Sequence, residues 1–319
     1  MYWYAVDYLN EMNTQCSSVI LNKKYFDKVP TELLNNDVFL LSFLGLFSHL
    51  FNHKYRLIFT PTPHALPFFR RQVVVLHDSF PFIGTLTRRF KKVLLCISLF
   101  LSGAKIAVIN KTAGADFART LGTFEQLYFF PNKIDILKQK EGTEGHQVSI
   151  VSYSVGLVGT DSSKKNYQEV FEVFKGEKNN FSFFVYGQNN DYILSLKRRF
   201  PHINITLIDS DNVAPFEFIN MVNALLSAAE YEGFGRLNFL ALQMGKDLVL
   251  KQTEVNREIY GKFANQNKTC DVTFFQKIDD VANIFSALRA RQTRAPILMS
   301  ENDNKNFYRA VEILGDLYK

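Results

Sequence analysis

Gln72-Val73-Val74-Val75-Leu76-His77-Asp78 decides the fold class. A β-branched run with no polar alternation fits a strand buried on both faces, the kind found in parallel sheets. The polar pair His77-Asp78 ends it. Working outward, residues 56–60 (Arg-Leu-Ile-Phe-Thr) read as a strand closed by Pro61 and Pro63. Residues 105–109 are another buried strand, and residues 126–130 a further one stopped by Pro131-Asn132. Helical patterns fill 86–102 and 112–121. Upstream, an amphipathic helix over 2–12 precedes a strand at 17–21, and residues 31–52 form an apolar, helix-like segment. Strands that alternate with helices predict a parallel α/β sheet.

Residues 136–148 are polar and contain glycine, so they read as a linker. The alternation then restarts. Strands are expected at 151–158, 181–186, 203–208, 224–227 and 247–250, and helices at 166–174, 192–200, 215–222, 278–290 and 304–319. The expected division is an N-terminal Rossmann-like domain over 1–140, a C-terminal Rossmann-like domain over 148–300, and a final helix over 301–319. Two such domains place a ligand in the cleft they face, at the carboxyl ends of parallel strands. The polar residues just after strands are therefore the informative ones: His77, Asp78, Thr160, Lys165 and Glu232.

The 319 residues carry a formal net charge of +6, which suits an anionic partner. The basic residues are scattered, with Arg88-Arg89-Phe90-Lys91-Lys92 the densest cluster. No zinc-knuckle spacing and no aromatic ribonucleoprotein motif accompanies them, so nucleic acid is not the expected partner. The cluster leads into apolar residues 93–101. Two readings stand side by side there: peripheral contact with an anionic membrane, or a buried helix with a solvated basic end. Cys16, Cys96 and Cys270 are odd in number and far apart, against a disulfide framework and for a reducing compartment. The start of the chain shows no basic segment before an apolar run, so no signal peptide is expected. The longest apolar stretch, 38–51, is interrupted by Ser42, Gly45, Ser48 and His49 and is shorter than the roughly 20 residues a spanning helix needs. A cytoplasmic protein, soluble or peripheral on the inner face of the plasma membrane, is the expectation.

Three stretches carry the chemistry. Val158-Gly159-Thr160-Asp161-Ser162-Ser163-Lys164-Lys165-Asn166 is a glycine turn followed by two lysines at a helix start. It is not a P-loop, because Ser163 stands where a glycine must precede the lysine. Cations so placed suit phosphate oxygens, although a solvated lysine pair is the plainer reading. Tyr231-Glu232-Gly233-Phe234-Gly235-Arg236-Leu237 sets a carboxylate beside two glycines before a helix. Glycines let the backbone approach a ligand closely, and the free N–H groups of a helix start can hold phosphate. A solvated Glu on a strand-to-helix turn is the alternative. His77 at a strand end is either a substrate contact or a packed imidazole. The histidines are dispersed and show no metal-ligand spacing, so no metal is expected.

Taken together these stretches resemble the GT-B glycosyltransferases of glycosyltransferase family 4, over roughly residues 56–290. Pro131-Asn132-Lys133-Ile134-Asp135 looks like that family's turn at the end of its first domain. Residues 158–166 are similar to its donor-phosphate segment, and Glu232-Gly233-Phe234-Gly235 to its signature loop. Residues 255–261, with Glu258 and Gly261, resemble the segment after the next strand. The resemblance implies a GT-B fold of two Rossmann-like domains facing a cleft, and retaining transfer of a sugar from a nucleotide-sugar donor. It implies that Lys165 holds the donor diphosphate with Lys164 and the backbone after Gly235. Gly159, Thr160, Gly233, Phe234 and Glu258 complete the donor site. Glu232 touches the sugar hydroxyls, and His77 lies near the sugar as the second catalytic residue. No cofactor is implied, since the UDP- or GDP-sugar is itself the substrate.

Three departures from the family pattern stand out. Leu240 occupies the position of the family's second glutamate, eight after the first. Arg236-Leu237 replace its Leu-Pro, and Arg236 is expected to bind phosphate instead. The chain also starts inside what looks like the first helix, without the usual first strand and glycine-rich acceptor loop. The expected function is hexosyl transfer to a hydroxyl of a glycan or lipid-linked glycan in bacterial surface polysaccharide assembly, such as O-antigen or capsule. The alternative is a non-catalytic GT-B-like domain that binds glycan or supports a partner transferase.

Overall fold

The structure is a computed structural model that describes residues 2–12, 18–22, 37–77, 82, 84–122, 127–137, 153–160, 163–176, 181–230, 234–264, 272–290 and 296–318. The chain divides into two compact units, one formed by 1–133 with 304–319 and the other by 134–303. Each is an α/β unit with parallel strands.

The first unit runs α1 (Tyr2–Met12), β1 (Ser18–Asn22), β2 (Asp37–Leu41), α2 (Phe43–Asn52), β3 (Ile58–Thr60), β4 (Gln72–Leu76), α3 (Leu86–Ser102), β5 (Lys105–Val108), α4 (Lys111–Leu121) and β6 (Leu127–Phe129). Strands β3 to β6 form one parallel sheet in chain order, and β1 pairs with β2 in parallel. Strand β4 is buried along its whole length. Its polar residue, Gln72, is satisfied: Nε2 donates to the carbonyls of Leu66 (2.7 Å) and Phe69 (2.8 Å), and Oε1 accepts from the Leu66 amide (3.0 Å). A buried amide without such partners would be costly. Val74 and Leu76 pack with Leu95, Leu99, Ile106, Val108 and Phe117 into one cluster.

One expectation for this unit is corrected. The apolar segment over 31–52 is not a single helix, because within its described part Asp37–Leu41 is a strand and Phe43–Asn52 a helix. The physical cause is Ser42. Its backbone is extended (φ −72°, ψ 169°), and its hydroxyl oxygen accepts from the Gly45 amide at 3.1 Å. That cap opens the helix and leaves the apolar residues before it to pair with β1.

The second unit runs β7 (Tyr153–Val158), a 3-10 turn (Ser163–Lys165), α5 (Tyr167–Val173), β8 (Phe181–Tyr186), α6 (Asp191–Arg199), β9 (Asn204–Ile208), α7 (Pro215–Asn220), β10 (Ala224–Ser227), α8 (Arg236–Gln243), β11 (Asp247–Lys251), α9 (Glu254–Tyr260), β12 (Val272–Phe275) and α10 (Asp280–Arg289). The last helix, α11 (Lys305–Tyr318), returns to the first unit, where Phe307 meets Tyr8 with ring centroids 4.7 Å apart. Strand β12 was not expected from the sequence.

The six parallel strands lie in the order β12-β11-β10-β7-β8-β9. Counted within the unit and read from the other edge, this is the doubly wound order 3-2-1-4-5-6. Successive strand residues serve opposite faces. Val155, Leu157, Phe183, Val185, Leu226 and Val249 enter one core cluster, while Leu225, Leu248, Leu250 and Tyr186 enter the other. Helices cover both faces, which is why these strands read as continuous apolar runs. Burying a ring such as Phe183 contributes about 2–3 kcal/mol of transfer free energy. Of the expected linker, Leu137 is anchored, its amide donating to Gln243 Oε1 at 2.8 Å. Residues 138–148 lie outside the described residues.

Candidate functional site

The strand order of the second unit reverses between β7 and β10, and such a reversal opens a crevice at the carboxyl ends of the strands. A cavity of about 220 Å³ lies there. Val158 from the end of β7, Ser227 from the end of β10, and Lys165, Gly235, Arg236 and Asn238 from the turns that follow line it. Among the described residues that line it, the charged ones are Lys165 and Arg236. A larger hollow of about 400 Å³, with Lys197, His202 and Asn204 in its wall, sits at the amino-terminal halves of β8 and β9. That is the wrong end of the sheet for a ligand crevice.

Local backbone chemistry makes each wall. After β7 the chain turns at Gly159 (φ +91°), whose amide donates to the Tyr186 carbonyl at 2.8 Å. The Thr160 hydroxyl donates to the Gln188 carbonyl, and the Thr160 carbonyl accepts from Asn190 Nδ2. Thr160 is thus spent on joining two strand-end loops and is almost wholly buried. Gly187 permits that junction, because a Cβ there would lie 2.9 Å from Thr160 Oγ1. Asn166 adopts a left-handed conformation (φ +54°), and its Nδ2 donates to the Ala228 carbonyl at 3.1 Å. This ties the start of α5 to the end of β10.

The second wall is the start of α8. Gly235 (φ +66°) precedes it and carries no side chain to cap the first turn. A helix start of this kind presents N–H groups to an anion. Arg236 follows, its Nη2 2.9 Å from Asp135 Oδ2. Asp135 is largely exposed, so solvent screens the pair.

Two buried tyrosines hold these walls from behind. The Tyr167 hydroxyl lies 2.7 Å from the Val158 carbonyl oxygen and 2.8 Å from that of Gly159. The Tyr260 hydroxyl donates to the carbonyls of Phe234 and Gly235, the latter at 3.0 Å, and accepts from Asn238 Nδ2 at 3.2 Å. Each glycine turn therefore has its carbonyls turned inward onto a phenol. Ser227, Asn238, Tyr167 and Tyr260 were not singled out from the sequence. Only Ser227, as the polar last residue of a strand, carried a usable signal.

The remaining expected residues fall as follows. Lys164 lies in the 3-10 turn beside Lys165, outside the cavity lining. Phe234 stacks on Phe239 with centroids 4.8 Å apart, so its ring faces the core. Glu258 is exposed on α9 and is not part of the lining. Leu240 packs against the same core cluster as Phe239. Glu232 and Gly233, like Asp78, lie outside the described residues.

His77 belongs to the first unit, at the end of β4. Its Nε2 is 3.0 Å from the Pro61 carbonyl oxygen, and its ring packs edge-on against Tyr4 at 4.8 Å. A carbonyl only accepts, so Nε2 carries the proton. Burial lowers its pKa to about 4, the Pro61 bond opposing the shift, so the imidazole is neutral at pH 7.

The fold is that of the GT-B glycosyltransferases. Among solved structures, WaaG, a glycosyltransferase involved in lipopolysaccharide biosynthesis, is similar over 99% of this chain and 92% of its own, at 13% identity and a TM-score of 0.67. HepE from Anabaena, solved in complex with UDP and glucose, is similar over 99% of this chain and 91% of its own, at 15% identity and a TM-score of 0.66. TarM from S. aureus is similar over 98% of this chain at 16% identity and a TM-score of 0.53, and this chain spans 55% of its length. No protein-family model matches the chain, and no curated protein matches it.

Proposed function

We propose that the protein transfers a sugar from a nucleotide-sugar donor to a hydroxyl of a glycan or lipid-linked glycan. The observation that carries this reading is the cavity at the strand-order reversal, with Lys165 and Arg236 in its wall and an uncapped helix start at Gly235. A diphosphate fits that chemistry: two cations and free N–H groups meet four to five anionic oxygens. The sugar–phosphate bond breaks, the acceptor oxygen bonds to the anomeric carbon, and the leaving phosphate takes the acceptor proton on the same face, with retention. Lys165 and Arg236 stabilise the charge that develops on that phosphate. Glu232 orients the sugar hydroxyls, and positioning supplies the rest. His77, neutral and held by the Pro61 carbonyl, is assigned the second catalytic role, beside the donor sugar.

HepE has been solved with UDP-glucose, which supports a uridine nucleotide and a hexose here. WaaG acts in lipopolysaccharide biosynthesis, which supports bacterial surface polysaccharide assembly on the cytoplasmic side, with the protein peripheral to the membrane. The test is single-turnover transfer from UDP- and GDP-sugars by the parent, Lys165→Ala and Glu232→Ala. Activity within a few fold of the parent in both variants removes the site assignment.

Leu240 favours a second reading, because it packs against the core at the position that the resembled family pattern gives to its second glutamate. On that reading the chain is a non-catalytic GT-B domain that binds glycan or supports a partner transferase. Calorimetry with nucleoside diphosphates separates the two: no heat at millimolar nucleotide selects the non-catalytic domain.

A further inference from the structure

Helix α3 is apolar on two faces. Its inner residues Leu95 and Leu99 pack into the cluster around Val74, Ile106 and Phe117. Its outer face carries Leu86, Phe90, Val93, Leu94, Ile97 and Phe100, all exposed, with Leu86 at 83% and Phe100 at 87%. At 100° per residue these six side chains fall within an arc of about 120°. An unpartnered stripe of this size on a single helix marks an interaction surface.

The charges select the occupant. The helix contains no acidic residue, and Arg88, Arg89, Lys91 and Lys92 crowd its first two turns. Cations at a helix N-terminus oppose the helix dipole, so this placement does not serve the helix itself. Arg89 and Lys91 project at the two margins of the apolar arc by helical geometry. A second copy laid alongside in parallel would set cation against cation. An anionic surface with an apolar layer beneath it meets both features at once. The helix is too short and too charged to cross that layer, and among the described residues no helix is long and apolar enough to do so.

We infer that the outer face of α3 lies flat in the surface of an anionic lipid membrane, with Phe90, Ile97 and Phe100 in the acyl boundary and the flanking Arg89 and Lys91 among the headgroups. This deepens the peripheral placement proposed above and requires nothing of the transfer reaction. The shared requirement for apolar and basic groups predicts that removing either weakens binding.

The experiment is co-sedimentation of the full chain with vesicles of phosphatidylethanolamine and phosphatidylglycerol, against vesicles of phosphatidylcholine. The parent is expected to bind the anionic vesicles and to be released by salt. Ile97→Glu with Phe100→Glu is expected to abolish binding. Arg89→Ser with Lys91→Ser is expected to weaken it roughly thirtyfold. All four substitutions are on exposed side chains, and an unchanged melting temperature verifies the fold. A parent that ignores anionic vesicles, or variants that bind as well as the parent, overturn the inference. A parent dimer made monomeric by Ile97→Glu with Phe100→Glu, without vesicle binding, assigns the face to a second copy and also overturns it. A UDP-induced melting shift, read on the same samples, reports on the transferase reading alone. Its absence with vesicle binding intact would discredit that reading and leave this one standing.

Discussion

A methyl group placed on Gly235 would lie 2.7 Å from the Tyr260 hydroxyl, the same hydroxyl that bonds the Gly235 carbonyl at 3.0 Å. The glycine and the phenol are therefore fitted to each other. The left-handed turn at Gly235 (φ +66°) is what brings its carbonyl there.

Gly235→Ala should accordingly destabilise the protein by about 1–3 kcal/mol, from backbone strain and the clash with Tyr260 and Asn238. It should also abolish the melting shift caused by UDP. Differential scanning fluorimetry with and without nucleotide measures both. A variant with parental stability and a parental shift would contradict the fit described here.

Tyr260→Phe keeps the ring in the core and removes only the hydroxyl. It leaves the Phe234 and Gly235 carbonyls without that donor, at a cost of about 1–2 kcal/mol. Tyr167→Phe should cost a similar amount by releasing the carbonyls of Val158 and Gly159. The two sites hold separate turns, so chemical denaturation of the double variant should give the sum of the single effects within about 0.5 kcal/mol.

Arg236→Ala separates ligand binding from stability. Its ion pair with the exposed Asp135 is screened, so global stability should change by no more than about 1 kcal/mol. Affinity for a nucleoside diphosphate should fall about tenfold or more, because a charge-assisted contact to phosphate is lost. Asp135→Ala should leave affinity unchanged or raise it. Isothermal titration of UDP into both variants decides the matter.

His77 predicts a pH dependence of stability. Its pKa lies near 4 in the folded protein, below the ordinary histidine value of 6.5. The folded state therefore binds this proton less well than the unfolded state. The stability it contributes is fully present above pH 6.5 and is lost as pH falls toward 4, by at most about 3 kcal/mol. His77→Gln should flatten the urea-denaturation midpoint across that window. An unchanged slope between pH 6.5 and 4 would count against the neutral, half-buried imidazole.

Much of this architecture is written locally, and the exceptions have identifiable causes. The bounds of α3, β8 and β10 follow directly from periodicity and run length. The segment over 31–52 misleads because its strand and helix are equally apolar, and one serine hydroxyl separates them. Strand β12 lies at a sheet edge, where Thr273 breaks its apolar run and its two middle residues are only half-buried, so no continuous buried run marks it. The strand-end rule names Lys165, and the glycine-rich stretch before α8 adds Gly235 and Arg236; all three line one cavity. It passes over Tyr167 and Tyr260, which look like ordinary core aromatics on helices. Their hydroxyls act on carbonyls eight and twenty-five residues away in the chain, and no local pattern records such a pairing.

Helix α11 gives the molecule an order of assembly. The second unit is one unbroken stretch, 134–303, whereas the first is 1–133 completed by 304–319. On the ribosome the first sheet is made early but must wait for Phe307 to meet Tyr8 until the whole second unit has emerged. The unit that begins first finishes last, and until then Tyr8 lacks the ring that Phe307 lays against it.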